Sequence, residues 1–508
     1  MCLGASVSDP RNLWRSRCLY VKLWRFAWVL GFLFSTGVSA QVQVNQVFNL
    51  QGPSPSTGVQ TIVQSGELPP TSGSVVGAVQ AVVFDPANSN IYVGTPGGGI
   101  WVSTNGGSAW TALTDNKASL AIDSLSLDPT DASGKTLIAG TGVTSNGSIG
   151  AQSDTNQIFQ GRGGIQNGLL YSQNGGQTWT TLGSAALAGQ NVTAVAARGQ
   201  IIMAATSNAT GFAFDPSQLT VGALYRSFNG GTTFSPVSGA AGTGLPAGPI
   251  TSLVGDSSNP NKFYAAVTSP TVTSAGYAST AIYMSTNAGA TWTQVFNASN
   301  STNFNGHTTI TGNDQTMIKL ATGPDGAVAA GIIDLSTRTV TGLFWSNNPG
   351  TASGSWTAVK TPTSNTLNLL NQVPENFAIA IDPSNSKLIY VSGDETSKDQ
   401  TTYALPVYRI SVTDQTITSL SLGNTASNSF AHSDSRAITF DASGNLILTS
   451  DGGIYLRTSP QGAHHRRGAA LPYAAMDAAR QVRGRVRAQL ADLRRHRHVA
   501  LYVVAYTA

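Results

Sequence analysis

The fold of this chain is indicated by the stretch Ser172-Gln-Asn-Gly-Gly-Gln-Thr-Trp179, which is one of five related copies. The other copies span residues 103–110, 227–234, 285–292 and, less regularly, 346–356. The aromatic residues that close the copies lie 69, 55, 58 and 64 residues apart. A unit of this size cannot bury its apolar face alone, so the repetition predicts equivalent units packed on one another.

Each copy has the composition of a tight turn between two strands. An Asn-Gly pair supplies the left-handed backbone positions of a short hairpin connection, and the Asn side chain can accept hydrogen bonds from its own turn. The closing aromatic residue can anchor the turn on apolar neighbours. We therefore predict a structural role for Asn105, Trp110, Asn174, Trp179, Asn229, Phe234, Asn287, Trp292, Asn348 and Trp356. Ligand binding by these asparagines is the alternative.

A second repeated pattern precedes the turns. An apolar run, an Asp-containing turn and another apolar run occupy residues 82–95, 125–140, 379–391 and 438–448, with weaker copies at 192–206, 253–267 and 318–333. Short runs rich in β-branched and aromatic residues, bounded by Gly, Pro, Asn and Ser, are typical of strands. The seven hairpins predict an all-β protein, a β-propeller of seven four-stranded blades with the last blade incomplete. Six blades and a larger two-propeller parent are the alternatives.

Composition supports this prediction and limits the partners. The chain has 55 glycines and only 10% charged residues, which is poor material for helices. Residues 41–458 contain 14 Lys and Arg against 21 Asp and Glu, so the net charge of +4 originates in the two ends. A nucleic-acid partner is therefore not predicted.

The N-terminal residues 1–40 have the features of a secretory signal. A region with five basic residues is followed by a short apolar run from Phe26 to Phe34 and by the small residues Val38-Ser-Ala40. An uncleaved membrane anchor is the alternative. Both cysteines, Cys2 and Cys18, lie in this leader, so the mature protein is expected to have no disulfide or cysteine metal site. Residues 41–78 are predicted to form an N-terminal extended segment, and residues 79–458 the propeller.

The C-terminal residues 459–508 interrupt the blade pattern. They contain nine of the twenty arginines and four of the six histidines, with no Lys, Asn or Glu. We interpret this Arg- and Ala-rich tail as an out-of-frame segment, disordered or helical. On this hypothesis the chain lacks the outer half of its last blade and any domain that once followed.

The repeated turn resembles the Asp-box, or bacterial neuraminidase repeat, Ser-x-Asp-x-Gly-x-Thr-Trp. This repeat occurs in sialidases, in xyloglucan-active glycoside hydrolases and in sortilin-type receptor propellers. Here the third position is Asn in every copy, which keeps the turn-forming side chain and removes a charge. The resemblance implies a β-propeller. It implies little about function, because in the family the box lies away from the active site.

The Asp-containing turns and the repeated turns are expected at one end of the blades. The loops at the other end contain the candidate site residues. A glycosidase needs two carboxylates about 5–10 Å apart. The candidate catalytic residues are Asp434, Glu375, Asp394 and Glu395, and the candidate ligand-binding residues are His432, Arg436, Asp154, Arg162 and His307. His432-Ser-Asp434, with Asp451-Gly-Gly453 downstream, resembles a phrase of some Asp-box propellers, including xyloglucan-active ones. Capping or solvated loop positions are the alternative for each residue.

Three classes of function stay open. The first prediction is a monomeric, exported propeller, secreted, periplasmic or at the cell surface, that binds extracellular polysaccharide or a surface protein. A glycoside hydrolase, xyloglucanase-like rather than sialidase-like, is the second: the nearest match to the sialidase Arg-Ile-Pro phrase, Arg409-Ile-Ser411, lacks the proline. A passenger or structural module of a larger surface protein is the third. No cofactor or metal is predicted, although Asp128 and Asp131 leave a calcium-bound turn as an alternative.

Overall fold

The computed structural model describes part of the chain. The described residues are 48–52, 78–142, 166–206, 222–268, 272–273, 276–277, 280–297, 316–335, 338–350, 355–359, 367, 369, 373–395, 405–421 and 431–461. They contain seven four-stranded antiparallel sheets, and six of these sheets follow chain order. The all-β, seven-bladed propeller is thereby confirmed. The predicted leader and almost all of the C-terminal tail lie outside the described residues.

The first four blades are regular. Blade one comprises Ala81–Asp85, Asn90–Thr95, Gly99–Ser103 and Thr111–Ala112. Blade two comprises Ile122–Leu127, Leu137–Thr141, Leu169–Ser172 and Thr180–Leu182, and is followed by a short helix, Ser184–Leu187. Blade three comprises Val192–Arg198, Ile201–Thr206, Leu224–Ser227 and Ser235–Pro236. Blade four comprises Ile250–Gly255, Phe263–Val267, Ala281–Ser285 and Thr293–Asn297, with a two-stranded insert, Val272–Thr273 and Gly276–Tyr277.

The remaining blades differ in their connections. Blade five comprises Thr316–Thr322, Val328–Asp334, Thr339–Ser346 and Thr357–Val359, with a 3-10 turn at Pro324–Gly326. A short helix, Val373–Asn376, leads into blade six, which comprises Ala378–Asp382, Asn385–Ser392, Val407–Ser411 and Ile417–Ser419. Blade seven takes Ser435–Phe440, Leu446–Ser450 and Gly453–Arg457 from the C-terminal part of the chain.

The fourth strand of blade seven is Phe48–Gly52, from the N-terminal part of the chain. It pairs antiparallel with Gly453–Arg457, so that Phe48 lies opposite Arg457. The prediction of an incomplete last blade is confirmed for the C-terminal part of the chain, which supplies three strands. The N-terminal strand occupies the remaining outer position and closes the ring.

The inner strands, the first strand of each blade, contact one another in sequence around the ring, including blade seven with blade one. Side-chain hydroxyls join several of them. Thr251 Oγ1 donates to the carbonyl oxygen of Ile318 at 3.0 Å, and Ser124 Oγ donates to that of Val192 at 2.7 Å. Apolar clusters fill the space between blades, as where Phe296 of blade four meets Phe344 of blade five at 5.2 Å between ring centroids. Burial of these faces holds the sheets together.

The four regular copies of the repeated turn share one hydrogen-bond pattern. In blade two, Ser172 Oγ accepts from the amide of Gly176 at 2.9 Å, and Asn174 Oδ1 accepts from Ser172 Oγ and from the amide of Thr178. The left-handed residues are the two that follow the asparagine, here Gly175 and Gly176, rather than the asparagine itself. The asparagine side chain therefore stabilises the turn by hydrogen bonds, while the two residues after it adopt the positive φ angles that the turn requires.

The closing aromatic residues differ in burial. Trp179 and Trp292 are buried, whereas Trp110, Phe234 and Trp356 are half-buried. The fifth copy follows a different course: the Ser346 hydroxyl donates to the carbonyl oxygen of Ser355, and the Asn348 amide donates to Ser346 Oγ at 3.1 Å. No helix within the described ranges is long and apolar enough to cross a lipid bilayer.

Candidate functional site at the channel mouth

The strand order places the two kinds of loop at opposite ends of the ring. Because consecutive strands of a blade are antiparallel, the Asp-containing turns and the repeated Ser-Asn turns lie at one end. The loops that precede the inner strands, and those that join second to third strands, lie at the other end. We call that second end the channel mouth.

Bulges distort four inner strands close to the channel mouth. In each of them one residue has no cross-strand partner, and these residues are Asp123, Thr193, Thr251 and Arg436 of blades two, three, four and seven. A bulge redirects a side chain out of the regular alternation, and bulges are frequent beside active sites. Two of the four positions thus place a charged residue, one acidic and one basic, at the mouth.

Asp434 lies at the junction of blades six and seven. Its amide donates to the carbonyl oxygen of Asp394 at 2.9 Å, and its own carbonyl oxygen accepts from the amide of Asp451 at 3.3 Å. Asn376 Nδ2 donates to Asp434 Oδ1, and Ser433 Oγ donates to Asp434 Oδ2 at 3.2 Å. Burial raises the pKa of the Asp434 carboxyl and the neighbouring negative charge of Asp451 adds to this. The backbone of Asp434 is left-handed, with φ of 63°.

Glu375 lies beside this group on the short helix before blade six. Its side chain is only 7% exposed and accepts from Arg338 Nη2, with an Oε2 to Nη2 distance of 3.2 Å. Burial raises the pKa of Glu375 in spite of the opposing positive charges of Arg338, Arg436 and Lys319. Two carboxyl groups of the mouth, those of Glu375 and Asp434, therefore hold their protons more strongly than free side chains do.

Lys319 lies halfway along the inner strand of blade five. It is partly exposed, yet the surrounding protein desolvates its ammonium group and lowers its pKa. The negative charges of Asp123, from blade two, and of Glu375, next to blade six, act in the opposite direction. Asp123 and Glu375 belong to different sides of the ring. A side chain of blade five that is near both of them must point toward the central channel, and we place Lys319 there.

His432 and Asp451 form a pair on the exposed side of Asp434. His432 Nδ1 lies 2.9 Å from Asp451 Oδ1. This hydrogen bond is the main cause of the raised pKa of His432, which partial desolvation opposes. The imidazole of His432 thus interacts with Asp451, the same carboxylate whose negative charge acts on Asp434.

We expect His432 to titrate above pH 6.5, its ordinary value, in an NMR titration of the imidazole signals. Because the folded pKa exceeds the unfolded value, the pair stabilises the fold fully below about pH 6.5, and this contribution is lost as pH rises through the folded pKa. Asp451→Asn should move the midpoint back toward 6.5. An unchanged midpoint in Asp451→Asn would contradict the assignment.

The structure places five of the nine residues predicted for catalysis or ligand binding within this group: Asp434, Glu375, Asp394, His432 and Arg436. Glu395 follows Asp394 and is partly exposed. Asp154, Arg162 and His307 lie outside the described residues. Sequence reasoning missed Asp123, Lys319, Arg338 and Asn376. A charged residue inside an apolar strand, as in Met317-Ile-Lys-Leu320, was the available signal for Lys319.

Metal ligation has little support in the part of the chain that the structure describes. No three His, Cys, Asp or Glu side chains there are grouped so that they could hold an ion. At the opposite end of the ring, Asp128 Oδ1 accepts from the amide and hydroxyl of Thr130, and Asp131 Oδ1 accepts from those of Ser133. These carboxylates brace their own turns.

Comparisons with known proteins bear on the fold. The chain is similar to the GH74 enzyme from Niastella koreensis, with a TM-score of 0.50 and 18% identity over 80% of this chain and 53% of that one. For the GH74 xyloglucanase from Xanthomonas campestris the TM-score is 0.48 and the sequence identity 19%, over 78% of this chain and 53% of that one. For YCF48 from Cyanidioschyzon merolae the TM-score is 0.44 and the sequence identity 12%, over 82% of this chain and all of that one.

The chain thus spans about half the length of the two GH74 enzymes that it matches. No protein-family profile and no curated protein matches it. At 18% identity, the likeness to the Niastella koreensis enzyme concerns the fold alone.

Proposed function

We propose that this protein is an exported propeller that binds extracellular glycans at its channel mouth, and that its repeated turns are Asn-substituted Asp-boxes. The observation behind the proposal is that three separate segments meet at one site: the buried Asn376 and Asp394 hold the partly exposed Asp434, and the exposed His432 lies two residues before it. The carboxyl group of Asp434 and the imidazole of His432 supply both donors and acceptors, as the hydroxyl groups of sugars require. The predicted leader at residues 1–40 supports export.

Asp434→Asn tests this proposal with little disturbance, because Asn tolerates the left-handed backbone of that position. We expect affinity for a bound polysaccharide to fall about tenfold, the scale of one lost hydrogen bond to a charged group. Calorimetry on a polysaccharide panel provides the measurement. Asp414→Asn is the matched control, since it makes the same change at a fully exposed turn of the opposite end. Equal losses in both variants would contradict binding at the mouth.

Hydrolysis of a polysaccharide is the second candidate function. Asp434 and Glu375 both have raised pKa values and both lie at the mouth. A carboxyl group that keeps its proton is what a glycosidic general acid requires. If the protein cleaves its ligand, Asp434→Asn or Glu375→Gln should slow release of reducing ends by about 100-fold or more while some binding persists. Binding with no release of reducing ends would exclude this candidate.

A further inference from the structure

Two cations, Arg436 at the channel mouth and Lys319 halfway along an inner strand, have no partner among the residues that the structure describes. No hydrogen bond or ion pair joins Lys319 or Arg436 to any residue that the structure describes, and the Nε of Arg436 is buried without an acceptor. Arg198 and Arg457 also have a buried Nε without an acceptor, but each donates through Nη1 to a backbone carbonyl oxygen. Arg338 binds Glu375, and Arg226 Nε donates to the carbonyl oxygen of Ala288 at 2.8 Å. An arginine without acceptors is costly to bury, and Arg436 as a whole is only partly buried, so a ligand that enters the mouth can supply acceptors to its guanidinium group.

In the part of the chain that the structure describes, Arg436, at the bulge of blade seven, does not take part in the hydrogen bonds that join neighbouring inner strands. At the equivalent bulges of blades three and four, Thr193 and Thr251 use their hydroxyls to bind carbonyl oxygens of the next inner strand. Arg436 makes no such bond among the described residues. Its side chain is therefore placed at the mouth by the backbone and is not needed to join one blade to the next.

Two of the three cations near Glu375 form no ion pair with any residue that the structure describes. Three cations, Arg338, Arg436 and Lys319, act on this single carboxylate, and Arg338 already forms the ion pair. Asp434, the other neighbour of Arg436, has its oxygens hydrogen-bonded to Asn376 and Ser433. Arg436 and Lys319 thus lie close to negative charges without being paired to any of them.

We propose that Arg436 and Lys319 form an anion subsite that extends from the channel mouth into the channel, and that the ligand is a polysaccharide containing uronic acid residues. This inference rests on the glycan-binding function proposed above. The planar guanidinium group of Arg436 matches the two oxygens of a carboxylate, and Lys319 adds a second positive charge in a partly desolvated channel. The neighbouring Asp434, which is partly exposed, and His432, which is exposed, can meet the sugar hydroxyls.

The test compares acidic polysaccharides with their neutral counterparts. Polygalacturonate, alginate and glucuronoxylan are each titrated into the protein by calorimetry, alongside the same polymers after chemical reduction of their carboxyl groups. We expect at least one acidic polymer to bind about tenfold or more tightly than its reduced form. Its affinity should fall as salt is raised, because charge contributes to binding.

Variants of the two cations identify the subsite. Arg436→Gln and Lys319→Gln should each weaken binding of the acidic polymer about tenfold, with binding of the reduced polymer unchanged. Arg436→Lys should give an intermediate loss, because it keeps the charge and removes the planar fork. Lys387→Gln, an exposed lysine at the opposite end, is the control for net charge. Circular dichroism and thermal unfolding verify that each variant is folded.

The possible failures separate the two proposals. Equal binding of acidic and reduced polymers, or full affinity in Arg436→Gln, would overturn the anion subsite and leave glycan binding intact. Dextran sulfate binding as tightly as the acidic polymer through the same two residues would overturn the preference for a carboxylate. Absence of binding to every polymer, acidic or neutral, would overturn glycan binding itself and the subsite with it.

Discussion

Trp292→Ala is expected to lower the free energy of unfolding by about 3–5 kcal/mol, the range for removing a large aromatic side chain from a packed core. Trp292 closes the repeated turn of blade four and is only 4% exposed. It packs in the apolar cluster between blades three and four, and its Nε1 donates to the carbonyl oxygen of Gly289 at 3.1 Å. The substitution removes both the packing and the hydrogen bond. Urea denaturation followed by circular dichroism measures the loss.

Trp110→Ala is the matched control, because Trp110 closes the equivalent turn of blade one but is only half-buried. Its loss should be clearly smaller than that of Trp292→Ala, in proportion to the smaller area removed from water. Trp292→Phe, which keeps much of the volume and loses the hydrogen bond, should fall between them. Equal losses for the two alanine variants would show that burial does not explain the stability of these turns.

Replacing residues 48–52 with a Gly/Ser sequence of equal length is expected to cost about 3 kcal/mol or more. Several ladder hydrogen bonds, each worth about 1 kcal/mol net, are lost when Phe48–Gly52 no longer pairs with Gly453–Arg457. The strand Gly453–Arg457 then becomes an unpaired edge, which promotes association between molecules. Denaturation reports the first effect, and light scattering on gel-filtered protein reports the second.

The same replacement at residues 42–46, which precede the paired strand, serves as the control and should leave the unfolding midpoint unchanged. A protein that keeps its full stability without Phe48–Gly52 would contradict closure of the ring by that strand. Loss of stability in the control alone would place the stabilising contact elsewhere in the N-terminal segment.

Features that depend on local sequence could be predicted, and those that depend on distant partners could not. The four regular Ser-Asn turns and the seven hairpins are visible because a turn and its flanking strands are contiguous in the chain. The grouping of Glu375, Asp394 and Asp434 followed from topology, since alternating strands bring their loops to one end. The N-terminal strand Phe48–Gly52 was predicted only as an extended segment, because Phe48 pairs with Arg457, 409 residues later.

The bulges were also invisible in the sequence. Asp123 and Arg436 each follow one ordinary strand residue and precede another, and only the hydrogen-bond register shows that they have no cross-strand partner. Lys319 interrupts an apolar strand, but whether its side chain enters the channel or a space between blades depends on the twist of the ring. Predicting the channel mouth therefore requires the register of several strands at once.

The N-terminal strand on blade seven gives the ring a seam at which the first and last strands of the propeller lie side by side. A circular permutant could link residue 457 to residue 48 through a short flexible connection and open the chain at an exposed turn such as Asp414 to Thr416. In that molecule all four strands of the seventh sheet would be contiguous, which would remove the long-range loop closure from assembly of that sheet.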